Sequence, residues 1–98
     1  MPAYFIFNYN VVDPDGYRDY AKAARTTLAE AGARVLVADV DSQEVEGMRP
    51  GHQTILIEFP DKAAAMAWYE SPAYQQVVGA RLAATQGFAL LCDGVPSR

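Results

Sequence analysis

The stretch "MPAYFIFNYNVVDPDGY", residues 1–17, decides how the rest of the chain is read. Residues 3–12 contain neither proline nor glycine, and as a strand they place side chains alternately on two faces. One face carries Ala3, Phe5, Phe7, Tyr9 and Val11; the other carries Tyr4, Ile6, Asn8, Asn10 and Val12. Asp13 then suits a helix N-cap, Pro14 the first helical position, and Asp15 the positive end of the helix dipole. A strand that runs straight into a capped helix begins a βαβ unit, and the all-apolar face is the one the helix layer should cover.

Working outward, Tyr17, Tyr20, Ala21, Ala24, Leu28 and Ala31 recur at helical spacing, so a helix is predicted over about 14–31, ended by Gly32 at C′. "ARVLVADV", residues 33–40, is a valine-rich second strand. Turn residues fill 41–52, with room for a short extra strand at Glu44–Glu46. "QTILIEF", residues 53–59, is a third strand stopped by Pro60. Asp61 caps a second helix, Ser71-Pro72 breaks it, and "PAYQQVVGARL" adds a further turn or two with Tyr74, Val77, Val78 and Leu82 on one side. Residues 87–94 form the last strand.

The order β-α-β-β-α-β is the ferredoxin-like arrangement, an α+β fold with a four-stranded antiparallel sheet in the order 4-1-3-2 and both helices on one face. Strands 1 and 3 are expected to be central and to run parallel to one another. Phe5, Phe7, Tyr9, Ile55, Ile57, Leu28 and Trp68 form the expected core. The second face of the sheet would carry Tyr4, Ile6, Val12, Leu56 and Leu36, more apolar surface than monomers usually leave wet. A second copy packed sheet to sheet, a homodimer, is the expected cover; a two-layer monomer is the alternative.

With 98 residues the chain is read as one domain, 1–98. A net charge of −4 with eight scattered basic residues argues against nucleic acid and against an anionic membrane surface. No apolar run approaches a membrane span and no signal peptide is visible, so a cytoplasmic location is expected. A single cysteine, Cys92, allows no disulfide framework.

"AYFIFNYNVVDPDGYRDYAKAA", "EVEGMRPGHQTILIEFPDKAAAMAWYESPAYQ" and, loosely, "GARLAATQGFALL" together resemble the bacterial domain-of-unknown-function 1330 family of the dimeric α/β-barrel superfamily. The resemblance implies a ferredoxin-like protomer that pairs into a barrel. It implies no single reaction, because related members include cofactor-free monooxygenases, small isomerases, haem-degrading proteins and plain ligand binders. Asn8, Ala38 and Met48 depart from the residues usual in that pattern, which removes a proton-transfer group and a cation.

Among candidate site residues, Asn8 and Asn10 share the barrel face, and with parallel central strands Glu58 would join them as a possible base. His52, the only histidine, would point into the barrel mouth near Tyr4. Arg49 and Arg81 could each clamp a carboxylate, and Tyr74 either closes over a pocket or packs under the sheet. His52 lacks companions for a metal site, so no metal and no cofactor are expected. Nucleophile motifs are missing as well. Two classes of function stay open: transformation of a small metabolite, bound between sheet and helices or inside the barrel, and a binding or structural homodimer without turnover.

Overall fold

The alternation read in the first strand holds in the computed structural model, which describes residues 1–47 and 50–96. In β1 (Ala3–Val11), Ala3, Phe5, Phe7 and Tyr9 are buried. α1 (Pro14–Glu30) starts as expected, with Asp13 accepting from the Gly16 amide at 3.2 Å. It ends at Ala31. There Gly32 takes φ +70°, its N–H donates to Ala29 and the Ala33 N–H to Leu28, so the last carbonyls of the helix are satisfied. β2 (Arg34–Asp39) and β3 (Gln53–Phe59) follow, then α2 (Lys62–Tyr69), α3 (Pro72–Ala84) and β4 (Thr85–Asp93). No strand forms at Glu44–Glu46.

The four strands lie in the order β2-β3-β1-β4, and every neighbouring pair is antiparallel. This corrects the expected direction of the central pair: β1 runs against β3, with Ala3 opposite Phe59 and Tyr9 opposite Gln53. The reason is topological. The α1 crossover returns the chain parallel to β1 in β2, and the β2–β3 connection then reverses it.

A second correction concerns α3. Ser71 breaks the chain and caps the next helix as read, but that helix runs 13 residues to Ala84 rather than a turn or two. Its added length buries Arg81 and leaves Leu82 62 % exposed, the reverse of the predicted stripe. Three helices thus cover one face. Phe5, Phe7, Tyr9, Leu28, Ile57 and Trp68 share one cluster, with Ile55 packed against it. Trp68 donates to Thr27 Oγ1 at 3.0 Å, and Thr27 donates in turn to the Ala24 carbonyl at 2.8 Å, which ties α2 to α1. No helix among the described residues is long and apolar enough to cross a membrane.

Candidate functional site

The helix layer does not cover its face evenly. α2 and α3 sit over β1 and β4, where Phe5, Phe59, Trp68, Tyr69 and Tyr74 fill the space with ring centroids 4.1–6.2 Å apart. α1 packs against α3 and stands off the β2–β3 side, so Val35, opposite the buried Ile57, is still 48 % exposed. Between α1 and β2–β3 lies an open cleft of about 290 Å³. Its walls are apolar: Ala21, Ala24 and Leu28 from α1, and Val35, Ala38, Ile55 and Ile57 from the sheet. The alanines make the room, since each gives up most of the volume that a leucine would fill.

Polar groups gather at one end. Tyr9 from β1 and Tyr17 from α1 share a hydrogen bond of 2.6 Å, and Gln53 Nε2 at the start of β3 donates to the Tyr17 hydroxyl at 2.8 Å. Deeper, the Tyr20 and Tyr74 hydroxyls are 2.7 Å apart. Burial raises the pKa of all four phenols above the ordinary tyrosine value, so each stays protonated well beyond neutral pH. As neutral phenols they are hydrogen-bond donors and acceptors and not bases. Arg25 stands exposed at the cleft's rim.

The antiparallel register rearranges the expected site residues. Glu58 lies opposite Tyr4 and not beside the asparagines. Tyr4 donates to Glu58 Oε2 at 3.1 Å, Arg34 reaches Oε1 at 3.3 Å, and the Glu58 carboxylate raises the Tyr4 pKa. Glu58 is thus engaged as an acceptor at the end of β1 remote from Asn8. His52 is equally far from Tyr4. Its Nε2 accepts from the Val11 amide at 3.0 Å, its Nδ1–H donates to the Val40 carbonyl at 2.9 Å, and its backbone N–H donates to Asn10 Oδ1 at 3.2 Å. Both ring nitrogens therefore hold backbone, which fixes where β3 begins.

Asn8 does the same from inside. Its Oδ1 accepts from the Gly51 amide at 2.7 Å, and its Nδ2 lies 3.1 Å from the Gly51 carbonyl and 3.1 Å from Thr54 Oγ1. Gly51 is required there, because a Cβ would run into the Tyr9 backbone. The amide of Asn8 is thus satisfied by protein, and Asn10 is exposed. Within the protomer, Asn8 clamps the segment that delivers Gln53 to the cleft. Tyr74 is fully buried and belongs to the aromatic packing, with its hydroxyl on Tyr20. Arg81 is buried against Phe7. Arg49 lies outside the described residues, as does Met48. No three His, Cys, Asp or Glu side chains gather as metal ligands would among the described residues.

Tyr17, Tyr20 and Gln53 were not singled out by sequence reasoning. Tyr17 and Tyr20 lie on the apolar stripe of α1, and a tyrosine there is as easily core as cleft. Two tyrosines in a stripe otherwise made of three alanines and Leu28 were the available signal.

The other face of the sheet is apolar along its middle. Ile6 pairs with Leu56 on one side and Leu90 on the other, and Val37 pairs with Leu56. Phe88 and Leu90 are 52 % and 53 % exposed.

The model of the family described as Domain of unknown function (DUF1330) matches residues 2–95. No curated protein matches the chain. Among solved structures, a protein of unknown function from Rhodopseudomonas palustris superimposes with a TM-score of 0.76 at 16 % identity, over 98 % of this chain and 84 % of that one. SnoaB, a cofactor-independent oxygenase from Streptomyces nogalater, gives 0.67 at 12 % identity, over 98 % and 95 %. A putative antibiotic biosynthesis monooxygenase from Bacteriodes thetaiotaomicron gives 0.58 at 24 % identity, over 97 % and 89 %. At these identities the likeness is one of fold.

Proposed function

Since the chain belongs to the DUF1330 family, whose fold is now in view, we propose that it binds a small, flat, mostly apolar metabolite in the cleft under α1, without a cofactor. The observation that carries this is the cleft itself: about 290 Å³ with apolar walls and one polar end built by Tyr9, Tyr17 and Gln53. That combination of apolar enclosure with few convergent polar groups is what small-molecule sites offer. Protonated phenols orient a hydroxyl or carbonyl group and polarise it. Among the described residues the lining offers no proton-abstracting base, so binding is the primary role and turnover, where it occurs, draws on polarisation by these donors. The oxygenase named above has the same fold, which supports a small-molecule site without a cofactor.

The open face, with Ile6, Leu56, Val37, Leu90 and Phe88, supports a second copy as its cover, sheet against sheet. An interface so apolar would be dry, which favours the cleft over the barrel interior as the ligand site. The lone thiol of Cys92 fits a reducing, cytoplasmic setting.

A thermal-shift screen of hydroxylated and carbonyl-bearing aromatics tests the site. Compounds that raise the melting temperature of the wild type should lose their effect in Ala21→Leu, which fills the cleft; hits indifferent to that substitution would place the site elsewhere. Light scattering after size exclusion tests the dimer, and a monomer at micromolar concentration would refute it.

A further inference from the structure

Arg81 is 5 % exposed, and its guanidinium carbon stands 5.1 Å from the centre of the Phe7 ring. Its Nε is buried and has no hydrogen-bond partner. No carboxylate answers its charge: the ion pairs among the described residues are Arg18–Asp15, Arg34–Glu58 and Lys62–Asp93. A buried cation without a counter-charge is unfavourable, and folds retain one where something other than stability is served.

Arg81 stands directly behind the cleft. Phe7, under its guanidinium, is a lining residue, and so are Tyr9, Tyr17 and Tyr20. The charge of Arg81 reaches all three hydroxyls and favours their ionised forms, although burial outweighs it. At the rim stands a second cation, Arg25. The lining includes no Asp or Glu, in a chain that has 12 of these against 8 Lys and Arg. The charge in and behind the cleft is therefore opposite in sign to that of the whole protein.

The neutral groups point the same way. The Tyr9–Tyr17 pair holds two phenolic protons and uses one between its oxygens. Gln53 Nε2 gives one N–H to Tyr17 and keeps another. One O–H and one N–H remain for an acceptor. Resting on the reading of the cleft as the ligand site, we infer that its ligand is an anion, a flat aromatic carboxylate. Carboxylate oxygens are acceptors only, so they take up the spare donors at the polar end, while Arg81 supplies the missing positive field from behind and Arg25 from the rim.

Calorimetric titration with sodium 2-naphthoate and with 2-naphthamide tests this, since the two probes share a shape and differ in charge. The naphthoate should bind about tenfold tighter or better. Arg81→Met should remove most of the preference for naphthoate over the amide, leave the amide unchanged, and keep or raise the melting temperature, because it removes a buried unpaired charge. Arg25→Gln, at the exposed rim, should lower naphthoate affinity by a smaller factor and does not disturb the core. Equal or tighter binding of the amide by the wild type would overturn the anion inference and leave the cleft as a ligand site. Binding of neither probe would overturn both. Should Arg81→Met fail to fold, the wild-type pair of titrations and Arg25→Gln still decide.

Discussion

The half of the helix-covered face over β1 and β4 and the half over β2 and β3 are built from the same apolar chemistry, yet one is filled and the other hollow. Over β1 and β4, α2 and α3 deliver Trp68, Tyr69 and Tyr74 onto Phe5, and Phe59 at the very end of β3 completes the same cluster. Over β2 and β3, α1 offers Ala21 and Ala24, and the sheet answers with Ala38. Side-chain volume, not hydrophobicity, separates a core from a pocket here. The filled half carries stability; the hollow half leaves part of it unrealised and keeps a cavity.

Substitutions can break or sharpen that contrast. The largest effect is expected in the filled half, where Trp68→Ala removes the central ring and the Thr27 hydrogen bond. Chemical denaturation should register a loss of about 3–5 kcal/mol. Asn8→Val strikes the clamp that sets the polar end of the hollow half. It leaves the buried Gly51 amide unpaired and should cost about 2 kcal/mol, and it should weaken ligand binding by releasing Gln53. Unchanged stability in that variant would mean the clamp is replaceable by water.

Alkali probes the phenols that join the two halves. The pKa of Tyr9, Tyr17, Tyr20 and Tyr74 is raised above the unperturbed value of 10.0 in the folded protein. Between pH 10 and the folded pKa the unfolded chain has lost these protons while the native state keeps them, so stability falls as pH rises. Below pH 10 this contribution is fully present. Each phenol still protonated in the native state gives a slope of about 1.4 kcal/mol per pH unit, and Tyr20→Phe should flatten the profile measured by denaturation between pH 9 and about pH 11. The smallest effect on stability belongs to Ala21→Leu. Filling the cleft should change stability by no more than about 1 kcal/mol, so a large loss there would show that the hollow half is as tightly packed as the filled one.

Much of this fold could be read along the chain. The parity of β1, the Asp13-Pro14 start and Gly32 stop of α1, and the Pro60 and Asp61 boundary between β3 and α2 are all local signals, and the structure has each where the residues suggest it. The site was less legible. The sequence marks Asn8 as a polar residue on an otherwise apolar strand, but its partners, Gly51 and Thr54, lie more than forty residues further along. Glu58 and His52 were assigned to each other's ends of β1, because the direction of β3 beside β1 depends on the whole path between them.

The sequence by itself determined which residues face the helix layer and where the elements start and stop, because side-chain period and capping act over a few residues. Only the tertiary structure decided what those faces enclose. Where α1 stands relative to β2 is set by its packing on α3, more than forty residues further along the chain, and that placement opens the cleft. The same holds for Arg81. Nothing within its own helix gives its charge a counter-ion or hides it, and it becomes a buried cation beside the cleft only when β1 brings Phe7 beneath it.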